Sequence, residues 1–321
     1  MKIYIAMKFQ TTIPIKKSDF LIDYSSKLVS LGSCFAENMG DKFDYFKFST
    51  ITNPFGIIFN PISLEKIIIR SIHKKYFTEK DIFFHNEAWH CYEVHSELSN
   101  PNKTEFLTTL NQLIDITNGH LEKVTHCLIT LGASWVYKHI ESDALVANCH
   151  KVLQKQFVKE LLSVADIDAS LKRIVSEIQV VNPNCKFIFT ISPVRHSKDG
   201  FVENNVSKSH LITALYNFLL NSTSSIYFPS YEIMMDELRD YRFYAEDMLH
   251  PNQTAIDYIW MRFSENYINE TEFETMQYVS EIQKALNHRP FNPNSESYLK
   301  FQDNLKQKIN AIVTKYPEMK F

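Results

Sequence analysis

Apolar runs of strand type alternate with helix-patterned segments through most of the 321 residues, which predicts an α/β chain: a parallel sheet covered by helices on both faces. Three observations carry the prediction. Segments 27–31, 126–131, 186–191 and 225–228 are near-continuous apolar runs, as expected of strands buried on both faces. Helix start signals separate them. Gly32, Gly56 and Gly132, three of only six glycines, fall where an apolar run meets a loop, a place where backbone often approaches a ligand.

Taken in order, strand 27–31 runs into Gly32-Ser33-Cys34, and a helix is expected from near Ala36. Asn60-Pro61 reads as a cap followed by proline at the first helical position. The aromatic stretch 81–95 suggests a small antiparallel insertion. Further helices are expected from near Thr104, Asp168, Ser207 and Gln253, each between two predicted strands or after the last. Beyond Asn269 the character changes: 270–288 and 295–315 read as polar amphipathic helices joined by Arg289-Pro290-Phe291-Asn292-Pro293. The expected division is therefore a main domain, 1–269, and a C-terminal helical extension, 270–321. The extension's apolar stripes need a surface to cover, either the main domain or a second copy in a homo-oligomer.

Composition narrows the function classes. With 45% apolar residues the chain can bury a sizeable core, and a net charge of -3 argues against a nucleic-acid binder that works by phosphate neutralisation. No apolar run approaches the roughly 18 to 20 residues needed to cross a bilayer, and residues 1–10 lack the apolar centre of a signal peptide. A cytoplasmic protein without membrane partners is expected. Cys34, Cys91, Cys127, Cys149 and Cys185 are odd in number and scattered, which suits reduced thiols. No glycine spacing matches a phosphate loop or a dinucleotide fingerprint, so no cofactor is expected.

The chemistry-bearing residues sit at the two ends of the main domain. Ser33 and Cys34 follow the first strand, where a fold can present a nucleophile at a helix N-terminus. There the helix dipole is expected to lower a thiol pKa. Asp247-Met248-Leu249-His250-Pro251 supplies a carboxylate three residues before an imidazole, so that one turn lets the acid orient the base. The bland alternatives are a buried core cysteine and a helix-capping histidine. Arg195 and His196 follow strand 186–191, at the end where open α/β sheets bind ligands; Arg195 is suited to a carboxylate or phosphate, or to a structural ion pair. His85, His90 and His95 look like a metal cluster on paper, but five-residue spacing scatters them over different faces, and no metal is expected.

In motif order the chain resembles the GSCFA family, a bacterial branch of the SGNH/GDSL hydrolases. The blocks are Gly32-Ser33-Cys34-Phe35-Ala36, Asn53-Pro54-Phe55-Gly56 with Asn60-Pro61, Thr130-Leu131-Gly132, Ala147-Asn148-Cys149-His150-Lys151, Ser192-Pro193-Val194-Arg195-His196 and Asp247 through Pro251. The resemblance implies a flavodoxin-like three-layer sandwich (SGNH hydrolase-like), with the nucleophile after the first strand and Asp-x-x-His before the last helix. It implies acyl-ester hydrolysis or acyl transfer, on an O-acylated saccharide or small ester.

In that register Cys34 stands at the serine position and Ser33, the alternative nucleophile, at the aspartate position; His250 would deprotonate the thiol and Asp247 would hold its tautomer. The backbone N–H groups of Cys34 and Gly56 would donate to the oxyanion. Ser134 stands where the superfamily places an asparagine donor, and Asn53 or Asn148 are the candidates to replace it. A non-catalytic carbohydrate-binding or scaffold protein with a degenerate site is the second reading. Gly32-Ser33-Cys34-Phe35 also resembles the papain-type cysteine protease motif, although Leu31 replaces its preceding cysteine and Leu28 its oxyanion glutamine.

Overall fold

The computed structural model describes residues 10–321. The absence of a leader was read from residues that lie, all but Gln10, outside that range. In chain order the elements are β1 (Lys27–Gly32), α1 (Cys34–Tyr45), β2 (Ser49–Thr52), α2 (Pro61–Ile72), β3 (Phe83–His85), β4 (Ala88–His90), α3 (Lys103–Leu121), β5 (His126–Leu131), β6 (Trp135–His139) and β7 (Ala144–Val146). There follow β8 (Phe157–Leu161), α4 (Val164–Val181), β9 (Lys186–Ile191), α5 (Phe201–Leu219), β10 (Ser225–Tyr227), the short α6 (Ser230–Glu232), α7 (Gln253–Tyr267), α8 (Phe273–Leu286) and α9 (Glu296–Lys315).

Five strands form one parallel sheet in the order β10-β9-β5-β1-β2. Counting only these strands, the order is 2-1-3-4-5, the flavodoxin-like doubly wound arrangement. Consecutive residues of each strand point to opposite faces, as the pleat requires. Val29, Leu31, Ile129 and Phe187 enter a core with α2, α3, α4 and α5, while Leu28, Leu128 and Ile188 enter a second core with α1 and α7. The chain is thus a three-layer α/β sandwich, as the alternating pattern predicts.

Local chemistry explains the boundaries. Ser33 caps α1, its Oγ accepting the N–H of Phe35 at 3.2 Å, so the helix begins at Cys34 rather than near Ala36. Asn60 caps α2 ahead of Pro61, as expected. Helix α4 starts at Val164, before the expected Asp168, because Ser163 and Asp166 form a reciprocal capping box. Helix α5 starts at Phe201 on a glycine with φ 102°, well before the expected Ser207. Sequence reading missed the edge strand β2 and the antiparallel sheet β7-β6-β8, both short and largely partly exposed. The hairpin β3–β4 lies within the expected insertion.

The C-terminal helices cover the main domain. Met276 of α8 joins the second core, and Tyr45 of α1 meets α8 through Ser280 Oγ (3.1 Å) and Gln283 Nε2 (3.0 Å). Helix α9 packs on α8 through Ile312 against Val279 and Ile282, with Tyr24 alongside. Among the described residues no helix is long and apolar enough to cross a membrane.

Candidate active site

The strand order reverses between β1, whose chain leads outward to β2, and β5, whose chain leads the other way to β9. Ligands of open α/β sheets bind at such a switch point, outside the carboxyl ends of the strands. Gly32-Ser33-Cys34 leaves β1 there, and Gly132 leaves β5 beside it. Gly32 has φ 134°, and a Cβ at that position would stand 2.1 Å from Thr130 O of β5, so only glycine allows the chain to turn so close to its neighbour. Asn53, itself at φ 41°, fixes the turn by accepting the Gly32 N–H on Oδ1 at 2.8 Å.

Cys34 is the first residue of α1 and is partly exposed, whereas Ser33 is 1% exposed and its hydroxyl is engaged in the cap. Of the two small nucleophiles, the cysteine is therefore the one presented to solvent. The N–H groups of Phe35 and of Cys34 itself act on the sulfur and lower its pKa, as a helix start should. They do not prevail. Burial, with Glu37 close by, pushes the thiol up, contrary to the lowering expected from sequence. The cation acting on it is Lys208.

The Asp-x-x-His loop folds as the spacing requires. Asp247 Oδ1 accepts the N–H groups of Leu249 (2.9 Å) and His250 (3.0 Å), and its Oδ2 stands 2.5 Å from His250 Nδ1. Met248 takes φ 59° to close the turn, and Pro251 bridges back to Tyr244. These N–H donors and the imidazole hold the Asp247 carboxyl down at about 2. The pair is about half exposed, and among the described residues no hydrogen bond joins the Cys34 thiol to His250.

Other expected residues take different roles. The Gly56 N–H, an oxyanion donor by resemblance, is already donated to Asn53 O at 2.7 Å, in a turn where a Cβ would meet His95 and Glu97. Ser134 does not face the cleft: it is fully buried, its N–H donating to Ser207 Oγ (2.8 Å) and its hydroxyl to Ser207 O (3.0 Å), which docks α5 on the loop after β5. Asn148 accepts the His150 N–H at 2.8 Å and shapes the positive-φ turn at His150 and Lys151. Asn53 offers Nδ2 only at 3.5 Å, to Glu37.

His196 lies over the switch point, its ring 5.0 Å from Phe59 and its Nε2 buried without a hydrogen-bond partner. Burial, with Lys208 and His250 nearby, pushes it down to about 4, so it is neutral near pH 7. Arg195 donates to Asn205 Oδ1 at 2.7 Å and forms no ion pair among the described residues. It lines a cavity of about 410 Å³ beside the His250 loop, with Met235, Tyr241, Tyr244, Met248 and Leu249. His85 and His90 sit on the β3–β4 hairpin with rings 6.3 Å apart, and His90 meets Ser99 Oγ (2.7 Å) and His85 O (2.9 Å). Among the described residues no group of three or more His, Cys, Asp and Glu side chains is placed to hold a metal ion.

Sequence reading missed Lys208. It is fully buried on α5, its Nζ donating to Gly132 O (2.8 Å) and Ser192 O (2.7 Å) at the ends of β5 and β9. The signal was present: Asn204, Lys208, Leu211 and Leu215 share the buried stripe of α5, where a lysine is out of place. Starting the helix near Ser207 hid that stripe.

Fold and site together define a doubly wound α/β chain with a thiol at its switch point and an acid–imidazole pair ahead of its last sandwich helix. The chain belongs to the GSCFA family. The family's model matches residues 27–263, and the model of the GSCFA domain protein C-terminal domain matches 279–321. No curated protein matches it.

Proposed function

We propose that the chain is an acyl-ester hydrolase or acyltransferase of SGNH type, acting through Cys34 with His250 and Asp247, on small esters or O-acylated saccharides in the cytoplasm. The observation that carries the reading is the Asp247–His250 pair: with Nδ1 turned to the carboxylate, Nε2 is the nitrogen left for a substrate or a proton. The Cys34 S–H proton would pass to His250 Nε2 as the sulfur attacks the carbonyl carbon, and the oxyanion would form near the Cys34 N–H at the helix start. Collapse expels the alcohol, which takes a proton from the imidazolium, and leaves an acyl-thioester. Water or a second hydroxyl then resolves it, with His250 as base. Arg195, without an acid partner in an aromatic-lined cavity, would hold an anionic or hydroxyl-rich part of the substrate.

The engaged Gly56 N–H and the buried Ser134 favour the second reading, a degenerate binding module, because they remove two of the expected oxyanion donors. A trapping experiment separates the two. Brief incubation with 4-nitrophenyl acetate, followed by acid quench and peptide mass analysis, is expected to place an acetyl group on Cys34, and more of it in His250→Ala, where resolution is slowed. No acetyl on Cys34 in either protein, with no turnover of any ester or acetylated oligosaccharide, leaves the binding module as the better account.

A further inference from the structure

Arg195 stands in the loop after β9 with its guanidinium held but not neutralised. Nη1 donates to Asn205 Oδ1 at 2.7 Å and Nη2 to Met235 Sδ at 3.5 Å, and among the described residues no carboxylate lies within ion-pair distance. Arginines elsewhere in the main domain are paired: Arg70 with Glu93 and Asp81, Arg173 with Glu65, Arg239 with Asp236, Arg242 with Asp240 and Arg262 with Glu237. A guanidinium carries five N–H donors. The amide and the sulfur take two, and the rest form an open fork, the geometry that binds a carboxylate at two points.

Two features show that this orientation is built into the fold. Asn205 lies one turn after Phe201 on the same face of α5, so the start of that helix supplies both the Arg195 acceptor and an apolar wall. Met235 comes from an irregular turn, Ile233–Glu237, in which the Leu238 N–H donates to Ile233 O, five residues back, at 2.9 Å; such turns are rare and concentrate at functional sites. Glu237 ends that turn and is buried against Arg262 of α7, which fixes it to the core.

The cavity bordered by these residues holds about 410 Å³, within the roughly 300 to 1,000 Å³ of small-molecule sites, and Leu249, next to His250, forms part of its wall. Tyr241 and Tyr244 line it with ring centroids 5.9 Å apart, offering apolar faces and hydroxyl edges. Its other charges are already answered. Asp240 accepts from Arg242 N at 2.8 Å and from its Nη2 at 3.2 Å, and Arg239 meets Asp236 at 2.6 Å. An acyl chain in this cavity would cover the guanidinium with hydrocarbon and leave its remaining donors unpaired, which is costly. A neutral sugar would satisfy the tyrosines and leave the charge without an anion. A sugar bearing a carboxylate meets both.

We propose that this cavity is the subsite for a sugar acid, with the Arg195 fork on the carboxylate and the tyrosine pair against the ring. The proposed acyl-ester reaction then selects acylated acidic saccharides over neutral ones, and Arg195 is its specificity-determining residue. This rests on the proposed function, but binding of the unacylated sugar is read without any ester turnover.

The test is a ligand-observed NMR titration of the full chain with glucose, galactose and mannose, with their C6 acids glucuronate, galacturonate and mannuronate, and with their 6-phosphates, sets that differ only at C6. At least one acid is expected to bind about tenfold or more tighter than its neutral sugar, and Arg195→Met should erase that difference. Arg195→Lys should restore only part of it, because an ammonium lacks the planar fork. Arg195 is partly exposed, so neither variant disturbs the core. A 6-phosphate bound more tightly than its acid, an acid preference that survives Arg195→Met, or equal binding of acid and neutral sugar by the parent protein overturns the assignment. An Arg195-dependent preference for the acid in a protein that turns over no ester keeps the subsite and removes the hydrolase reading.

Discussion

The two halves of the candidate site are built in opposite ways. Cys34, partly exposed, and Lys208, fully buried, stand at the ends of β1, β5 and β9, and burial is the largest influence on the protonation of each. Asp247 and His250 belong to an exposed loop, and burial has almost no part in the state of the acid, which three hydrogen bonds within its own loop decide. The contrast teaches where each half is vulnerable. A change on the inner side disturbs packing, desolvation and chemistry together, whereas a change on the outer side alters chemistry with little effect on the fold.

The largest effect is expected on the inner side. Gly32→Ala places a Cβ 2.1 Å from Thr130 O at a φ that other residues rarely adopt, so the strand pair or the turn must move. A loss of more than about 3 kcal/mol is expected, enough to deplete soluble folded protein. A Gly32→Ala protein melting within a few degrees of the parent would show that the Gly32 turn is less constrained than its geometry indicates.

Next come the outer-side substitutions. His250→Ala and Asp247→Asn are expected to lower turnover of a responsive ester by about a thousandfold or more, while each melting temperature stays within a few degrees. Thiol nucleophiles depend less on a base than hydroxyls do, so the Asp247→Asn loss is the smaller of the two. Large unfolding in either variant would break the comparison, since the loop would then be a structural brace.

The smallest effects are in the pH dependence of stability, and they carry opposite signs. The Asp247 carboxyl, at about 2 in the folded chain against an ordinary 3.8, stabilises above about pH 4, and this is lost as pH falls from 4 toward 2. Because the group is half exposed, solvent screening keeps the contribution below about 1 kcal/mol. Lys208, lowered from 10.5 to about 7, leaves the unfolded chain holding more protons than the folded one above pH 7, so stability rises with pH from there until the unfolded thiol ionises. Urea titrations at pH 6, 7, 8 and 8.5 should show that rise in the parent protein and its absence in Lys208→Met. Parallel curves would remove Lys208 from the list of buried titrating groups.

Much of this was legible in the chain itself. Apolar strand runs and capping residues specified the parallel sheet, its alternating faces and most helices, because strand burial and helix caps are local patterns with fixed spacing. The Asp247–His250 pair was legible for the same reason: three residues of separation suffice to close an Asx turn and bring a carboxylate to an imidazole. Its partner Cys34 could be nominated, and Ser33 beside it, but the sequence left the choice open. Only the fold put the Ser33 hydroxyl into the α1 cap and exposed the thiol. What tertiary structure alone decided lies in contacts between distant segments, where no spacing rule applies. Lys208 reaches carbonyls 16 and 76 residues away, and Ser134 is turned into α5 by Ser207, 73 residues on. The thiol pKa belongs to the same group: the helix start that should lower it is a local feature, but the desolvation that overrides it comes from burial in the folded chain.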